Sequence, residues 1–311
     1  MPELKEKKLI TVDFEKAFGE KLSSYVEEKI KQYDFTYTDF TQEERDYWLR
    51  RAVDILLDPN LEFSGEHRRD QWEVGWGQNL SLLEKEDVMQ SINPHYFGKY
   101  PILRFCQKFI KPISSNFEVN SLYVIQHWLF DQYLRDSDSI YEFGCGTGHN
   151  LFNVQEINTT AKIWGLDWAN CSQDIIRKLV ADGMAKNFYA HNFDYFKPDE
   201  NFKLGTNSAI YTVASLEQIG TDFKPFVEYI LKNKPNICIH IEPFNELLDE
   251  KNLLDYLSLR YFKKRRYVNG FIDHLHELEA NGKIKIIREQ RSFIGSFFID
   301  GYTVVVWSPI I

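Results

Sequence analysis

A chain of 311 residues is long enough for a sizeable core, and an α/β unit of roughly 200–250 residues leaves room for a substantial addition. An aromatic content of 15 % rules against disorder, and 27 % charged residues is ordinary for a folded globular chain. The net charge of −9 argues against a nucleic-acid binder, because phosphate contacts need a basic face.

The four cysteines, Cys106, Cys145, Cys171 and Cys238, lack metal-ligand spacing and read as free thiols, so the expected compartment is a reducing, cytoplasmic one. No apolar run reaches the ~18 residues of a membrane span, and no signal peptide is seen.

Residues 1–60 read as polar helices. Thr41 and Glu44 form a capping box, T-x-x-E. Trp48, Ala52, Ile55 and Leu56 then share one helical face, which Asp58-Pro59-Asn60 ends. These helices are read as a lid or an oligomer contact, so a homo-oligomer stays open. Residues 61–120 show little periodicity. They crowd Trp72, Trp76, Phe97 and Tyr100 among arginines, amides and glycines. Two roles stay open for them: a surface that stacks on a polyhydroxylated ligand, or a cap that only packs. Ser121–Leu134 reads as an amphipathic helix.

Ile140–Asn150, I-Y-E-F-G-C-G-T-G-H-N, is the centre of the chain. Ile140, Tyr141 and Phe143 read as a buried strand. Gly144, Gly146 and Gly148 break it, with Cys145 between the first two, and Leu151–Ile157 resumes as a helix. Such a turn offers free backbone N–H groups that a polar ligand can approach closely. Glu142, two residues before the first glycine, is expected to face that ligand. A G-x-G-x-x-G dinucleotide fingerprint would need its third glycine at 149, where His stands.

The E-x-G-x-G-x-G pattern resembles the first motif of class I S-adenosylmethionine-dependent methyltransferases. The resemblance covers 121–311 and implies several further matches. Lys162–Trp168 is the second strand, and Asp167 follows Gly148 by 19 residues, where an acid accepts ribose hydroxyls; Trp168 lies against the adenine. Asn192 and Phe193 match the family's adenine corner, with Asn where Asp is commoner. Leu216-Glu217 follows the fourth strand, with Gln218 where His is frequent, and the fifth strand ends on Glu242. His149 approaches the cofactor's carboxylate.

The fold so implied is Rossmann-like, a seven-stranded, mostly parallel sheet with an antiparallel C-terminal strand pair. A helical and aromatic cap, 1–120, precedes the methyltransferase domain, 121–311. Glu217 and Glu242, both at strand ends, are the candidate general bases, and His240 is expected in the core. Lys263–Arg266, K-K-R-R, reads as a solvated helix end. W-E-x-G-W (72–76), Y-F-G-K-Y-P (96–101) and L-H-E-L-E-A-N-G-K-I-K-I (275–286) are similar to bacterial methyltransferases of sugar or surface-polysaccharide modification. They imply S-adenosyl-L-methionine as cofactor and a small polyhydroxylated acceptor, methylated on oxygen. The other readings are a non-catalytic, cofactor-binding partner subunit and an NAD-dependent oxidoreductase.

Overall fold

The computed structural model describes residues 5–83, 88–299 and 302–310. The N-terminal segment runs β1 (Lys7–Lys8), α1 (Thr11–Phe18), α2 (Ser24–Gln32), β2 (Thr36–Asp39) and α3 (Gln42–Leu57). After a short 3-10 turn come α4 (Arg69–Leu82), α5 (Val88–Ile92), β3 (Leu103–Phe105) and β4 (Lys108–Pro112). α3 begins as expected: Thr41 Oγ1 accepts the Glu44 N–H at 3.2 Å, and the Glu44 carboxylate accepts the Thr41 N–H at 2.9 Å. The reciprocal bonds satisfy two donors that the helix start would otherwise leave bare.

α6 (Phe117–Tyr133) leads into the central sheet. It is buried from Leu122 to Phe130 almost without interruption, not amphipathic as its sequence suggested. The reason is that α1 and α2 cover the side turned away from the sheet: Phe18 stacks on Trp128 at 4.2 Å, and Tyr25 meets His127.

The sheet uses β5 (Ser139–Phe143), β6 (Lys162–Asp167), β7 (Phe188–Asn192), β8 (Ser208–Val213) and β9 (Ile237–Glu242), then β10 (Ile284–Arg291) and β12 (Thr303–Pro309). Their order is β10-β12-β9-β8-β5-β6-β7. Pairs among β5 to β9 are parallel, while β12 runs antiparallel to both β9 and β10. The crossover helices are α7 (Leu151–Ile157), α8 (Asn170–Ala181) and α9 (Lys224–Asn233), with α10 (Leu253–Arg265) and α11 (Phe271–Ala280) before the final pair. This is the Rossmann-like sheet with an antiparallel ending that the sequence implied.

β5, β8 and β9 are buried at every position, as expected of parallel strands covered on both faces. Phe143 packs edge-on against Phe193 and Phe226; burying each such ring stabilises by roughly 1.5–3 kcal/mol. β5 is flanked by β6 on one side and β8 on the other, and connections leave it in opposite directions. A crevice therefore opens at its carboxyl end.

The N-terminal segment also holds strands that its sequence did not announce. They form a second, antiparallel sheet, β1-β2-β4-β3-β11, completed by β11 (Ile294–Gly295) from between the last two strands of the main sheet. No helix among the described residues is long and apolar enough to cross a membrane.

Candidate active site

The turn after β5 is fixed to its neighbour strand. Gly144 and Cys145 both donate their N–H to Leu166 O, at 2.7 and 3.0 Å. Gly144, Gly146 and Gly148 take φ values of 73°, 54° and 74°, a region that L side chains rarely adopt. Space forbids a side chain at the first of them as well: a Cβ on Gly144 would stand 2.4 Å from Ser215 Cβ. Asp167, ending β6, accepts the Gly146 N–H and the Ala169 N–H, each at 2.9 Å. Burial lifts its pKa to about 6, against the pull of those two donors.

One cavity of about 400 Å³ lies over this crevice. Gly144, Cys145, Gly146, Asp167, Trp168 and Phe193, all singled out in the sequence, line it. His149 lines it too. Its Nδ1 meets Thr147 Oγ1 at 3.2 Å, its Nε2 is buried without a partner, and burial holds its pKa down to about 3. The ring is therefore neutral.

Four expected residues lie off the cavity. Glu142 sits one layer behind the turn, where Asn150 Nδ2 donates to it at 2.7 Å and the Tyr211 hydroxyl at 3.0 Å. Asn150, not Glu142, meets the cavity. The Gly148 Cα faces Ile176 and Leu151, so it packs the turn onto α8. Asn192 turns outward and donates to Trp168 O at 3.0 Å. Glu242 lies beneath the loop after β8, where both its oxygens accept the Ser215 N–H.

Glu217 does line the cavity. It sits in a 3-10 turn after β8, and its Oε1 accepts from Gln218 Nε2 at 2.8 Å. Gln218 Oε1 in turn accepts from Arg68 Nη1 at 2.7 Å. Gln218 thus acts as a spacer between the acid and a guanidinium. The Tyr267 hydroxyl approaches Glu217 without a hydrogen bond of normal geometry, and Oε2 is buried and unpartnered. Burial raises the Glu217 pKa to about 7, with Gln218, Arg265 and Arg68 among the groups opposing it. A carboxyl poised there can exchange a proton at neutral pH.

The roof is α4, a helix where the sequence showed no clean period. Trp76 covers the glycine turn so closely that a Cβ on Gly146 would come within 2.8 Å of the indole. Trp72 stacks on Trp76 at 5.3 Å, Arg69 pairs with Asp194, and Glu73 accepts the N–H groups of Asn170 and Cys171 at the start of α8. The far wall is aromatic: Tyr100, Tyr261, Phe297 and Phe298 pack on one another. Glu118, which no motif flagged, also lines the cavity, as do Lys99 of Y-F-G-K-Y-P and Arg265 of K-K-R-R. Glu118 Oε2 accepts the Gly98 N–H at 2.8 Å, and burial raises its pKa to about 7.

No protein-family model matches the sequence, and no curated protein does. Among solved structures the chain is similar to the mitomycin 7-O-methyltransferase MmcR, at 12 % identity and a TM-score of 0.47 over 85 % of this chain and 67 % of that one. It is similar to human N-acetylserotonin methyltransferase in complex with SAM, at 14 % identity and a TM-score of 0.46 over 86 % and 67 %. A third is the O-methyltransferase from a trans-AT PKS multienzyme of Brevibacillus brevis in complex with S-adenosyl-L-homocysteine. There the identity is 12 % and the TM-score 0.43, over 60 % and 71 %.

Among the described residues no group of three His, Cys, Asp or Glu side chains is placed to hold a metal ion. The chemistry on offer is that of a deep, mostly apolar cleft with a strand-end acid on one side. On the other stands a carboxyl that titrates near neutrality.

Proposed function

We propose that the protein is an S-adenosyl-L-methionine-dependent methyltransferase that methylates a hydroxyl of a small polyhydroxylated acceptor, such as a sugar or nucleotide sugar. The observation that carries this reading is the continuity of the cavity, which joins the glycine turn and Asp167 to the buried, unpartnered Glu217 Oε2. A cofactor site and a proton acceptor then share one chamber.

The residues fit the cofactor. Asp167 keeps lone pairs for the ribose hydroxyls, and Trp168 and Phe193 offer rings for the adenine. The orphaned His149 Nε2 and the backbone of the turn suit its amino acid end. When bound, the cofactor supplies a methyl group activated by its sulfonium. The protein's own part is alignment and proton removal. Glu217 takes the acceptor's hydroxyl proton at Oε2, and the aromatic wall keeps water out and offers flat faces to a sugar ring. The scattered cysteines, without metal-ligand spacing, support a reducing, cytoplasmic setting.

Calorimetry tests the cofactor first: S-adenosylhomocysteine binds and NAD does not. Binding of NAD with no response to S-adenosylhomocysteine would overturn the reading. Turnover across sugars and nucleotide sugars then tests the acceptor class, and activity confined to flat aromatic phenols would replace it.

A further inference from the structure

Arg265 is a cation that borders the cavity and, among the described residues, closes no salt bridge there. Its sequence setting, K-K-R-R at the end of α10, suggested a solvated helix end. The structure keeps the helix end, with Lys263 and Arg266 exposed, but turns Arg265 inward, because the N-terminal segment clamps this turn. Ser64 donates its N–H and its hydroxyl to Arg265 O, at 2.7 and 2.9 Å, and Lys264 Nζ donates to Leu56 O and Asp58 O. Arg266 takes a left-handed φ of 51° and lays its guanidinium over the Phe63 ring, 3.9 Å from the centroid. The chain turns there, and Arg265 is left pointing inward.

The Arg265 guanidinium lies against the rings of Tyr261 and Tyr267, at 5.9 and 5.4 Å. Among the described residues it makes no ion pair, and its buried Nε has no hydrogen-bond partner. Flanking rings fix the plane of a guanidinium, and a fixed fork is the form that takes a carboxylate or phosphate by two bonds. Arg265 is half-buried and Glu217 and Glu62 act on it only through space, so a directly paired anion would still be gained. Arg68 stands near enough to repel it, and Lys99 also borders the cavity.

The acid nearest in effect is Glu217, which interacts with Arg265 through space without closing an ion pair. Two opposite charges thus face one chamber, and each keeps a buried polar atom unpaired. A ligand that brings an anion to one and a hydroxyl to the other satisfies both.

We propose that the acceptor carries a carboxylate or phosphate group, and that Arg265 is the residue that selects it. The inference rests on the methyl-transfer reading for the hydroxyl, and on the Arg265 geometry alone for the anion. Monosaccharides in gluco, galacto and manno configurations serve as probes, each as the uronate, the hexose 6-phosphate and the neutral hexose. Calorimetry is run with and without S-adenosylhomocysteine. At least one anionic probe is expected to bind 10-fold or more tightly than its neutral parent, and the uronate and phosphate arms tell the two anions apart. Arg265→Gln is expected to abolish that preference, Arg265→Lys to keep part of it, and the melting temperature of Arg265→Gln to be unchanged or higher. A preference that survives Arg265→Gln, or no preference in the wild type, overturns the proposal. The wild-type comparison decides the matter by itself if Arg265→Gln does not fold. The runs without S-adenosylhomocysteine read the anion site even if the cofactor assignment fails.

Discussion

Asp167 shows how one side chain can shape a turn and remain available to a ligand. Its two oxygens each take a backbone N–H, which sets the turn at Gly146 and starts α8 at Ala169, while the carboxylate still borders the cavity. Asp167→Ala is therefore expected to weaken S-adenosylhomocysteine binding by about 1–3 kcal/mol, the usual cost of unpaired polar groups in a buried site. Calorimetry at wild-type affinity in the folded variant would remove the ribose role. Glu217→Gln is expected to lower turnover by about 10²–10⁴-fold with little change in cofactor affinity. Because the base must be ionised and its pKa is raised to about 7, wild-type turnover should rise with pH through that value and then level off. A flat profile from pH 6 to 8 would dismiss Glu217 as the base. The turn, Asp167 and Glu217 were legible because strand ends and glycines leave local marks. Glu118 and Arg265 were not, since each reaches the cavity only through contacts with distant segments.

α4 explains why residues 61–120 looked aperiodic. Its buried residues are few, and instead of one apolar stripe it presents Trp76 to the glycine turn, Glu73 to the start of α8 and Arg69 to Asp194. It crosses α8 in van der Waals contact: a Cβ on Gly77 would lie 3.4 Å from Cys171 Sγ. The sequence left Trp76 either stacking on the acceptor or only packing the cap; its seat on Gly146 moves the expected effect to the cofactor. Trp76→Ala should speed S-adenosylhomocysteine release in stopped-flow experiments and leave the acceptor's KM nearly unchanged. A changed KM with unchanged release would return the indole to the acceptor. Glu73→Ala removes the carboxylate that accepts the Asn170 and Cys171 N–H groups at the start of α8, whose own N-cap residue, Ala169, makes no side-chain bond. A loss of about 0.5–2 kcal/mol in denaturant melts is expected.

At the level of the whole molecule, acids and histidines buried in one structure set a pH window for stability. Burial raises Glu142 and Glu242 to about 8 and lowers His127, His149 and His240 to about 3. A raised acid binds its proton more tightly folded than unfolded, so it disfavours the fold as pH climbs from its ordinary 4.5 towards 8. The histidines act in the opposite sense, and only below their ordinary 6.5. Between about pH 6.5 and 8 the acids act alone, and the melting temperature should fall; a rise there would mean that both glutamates are ionised in the fold. The main sheet was legible from its apolar runs and its closing hairpin. The second sheet was not, because β11 is two residues long and pairs with β3 by contacts that carry no local pattern. That pairing also bears on synthesis. On a ribosome, β3 emerges well before the segment from Leu254 to Gly295 that supplies its neighbour strand and the acceptors of Arg104 Nη1, Leu254 O and Ser258 Oγ. A nascent chain halted short of that segment holds an open strand edge and a guanidinium with neither acceptor yet made, the kind of intermediate that chaperones intercept.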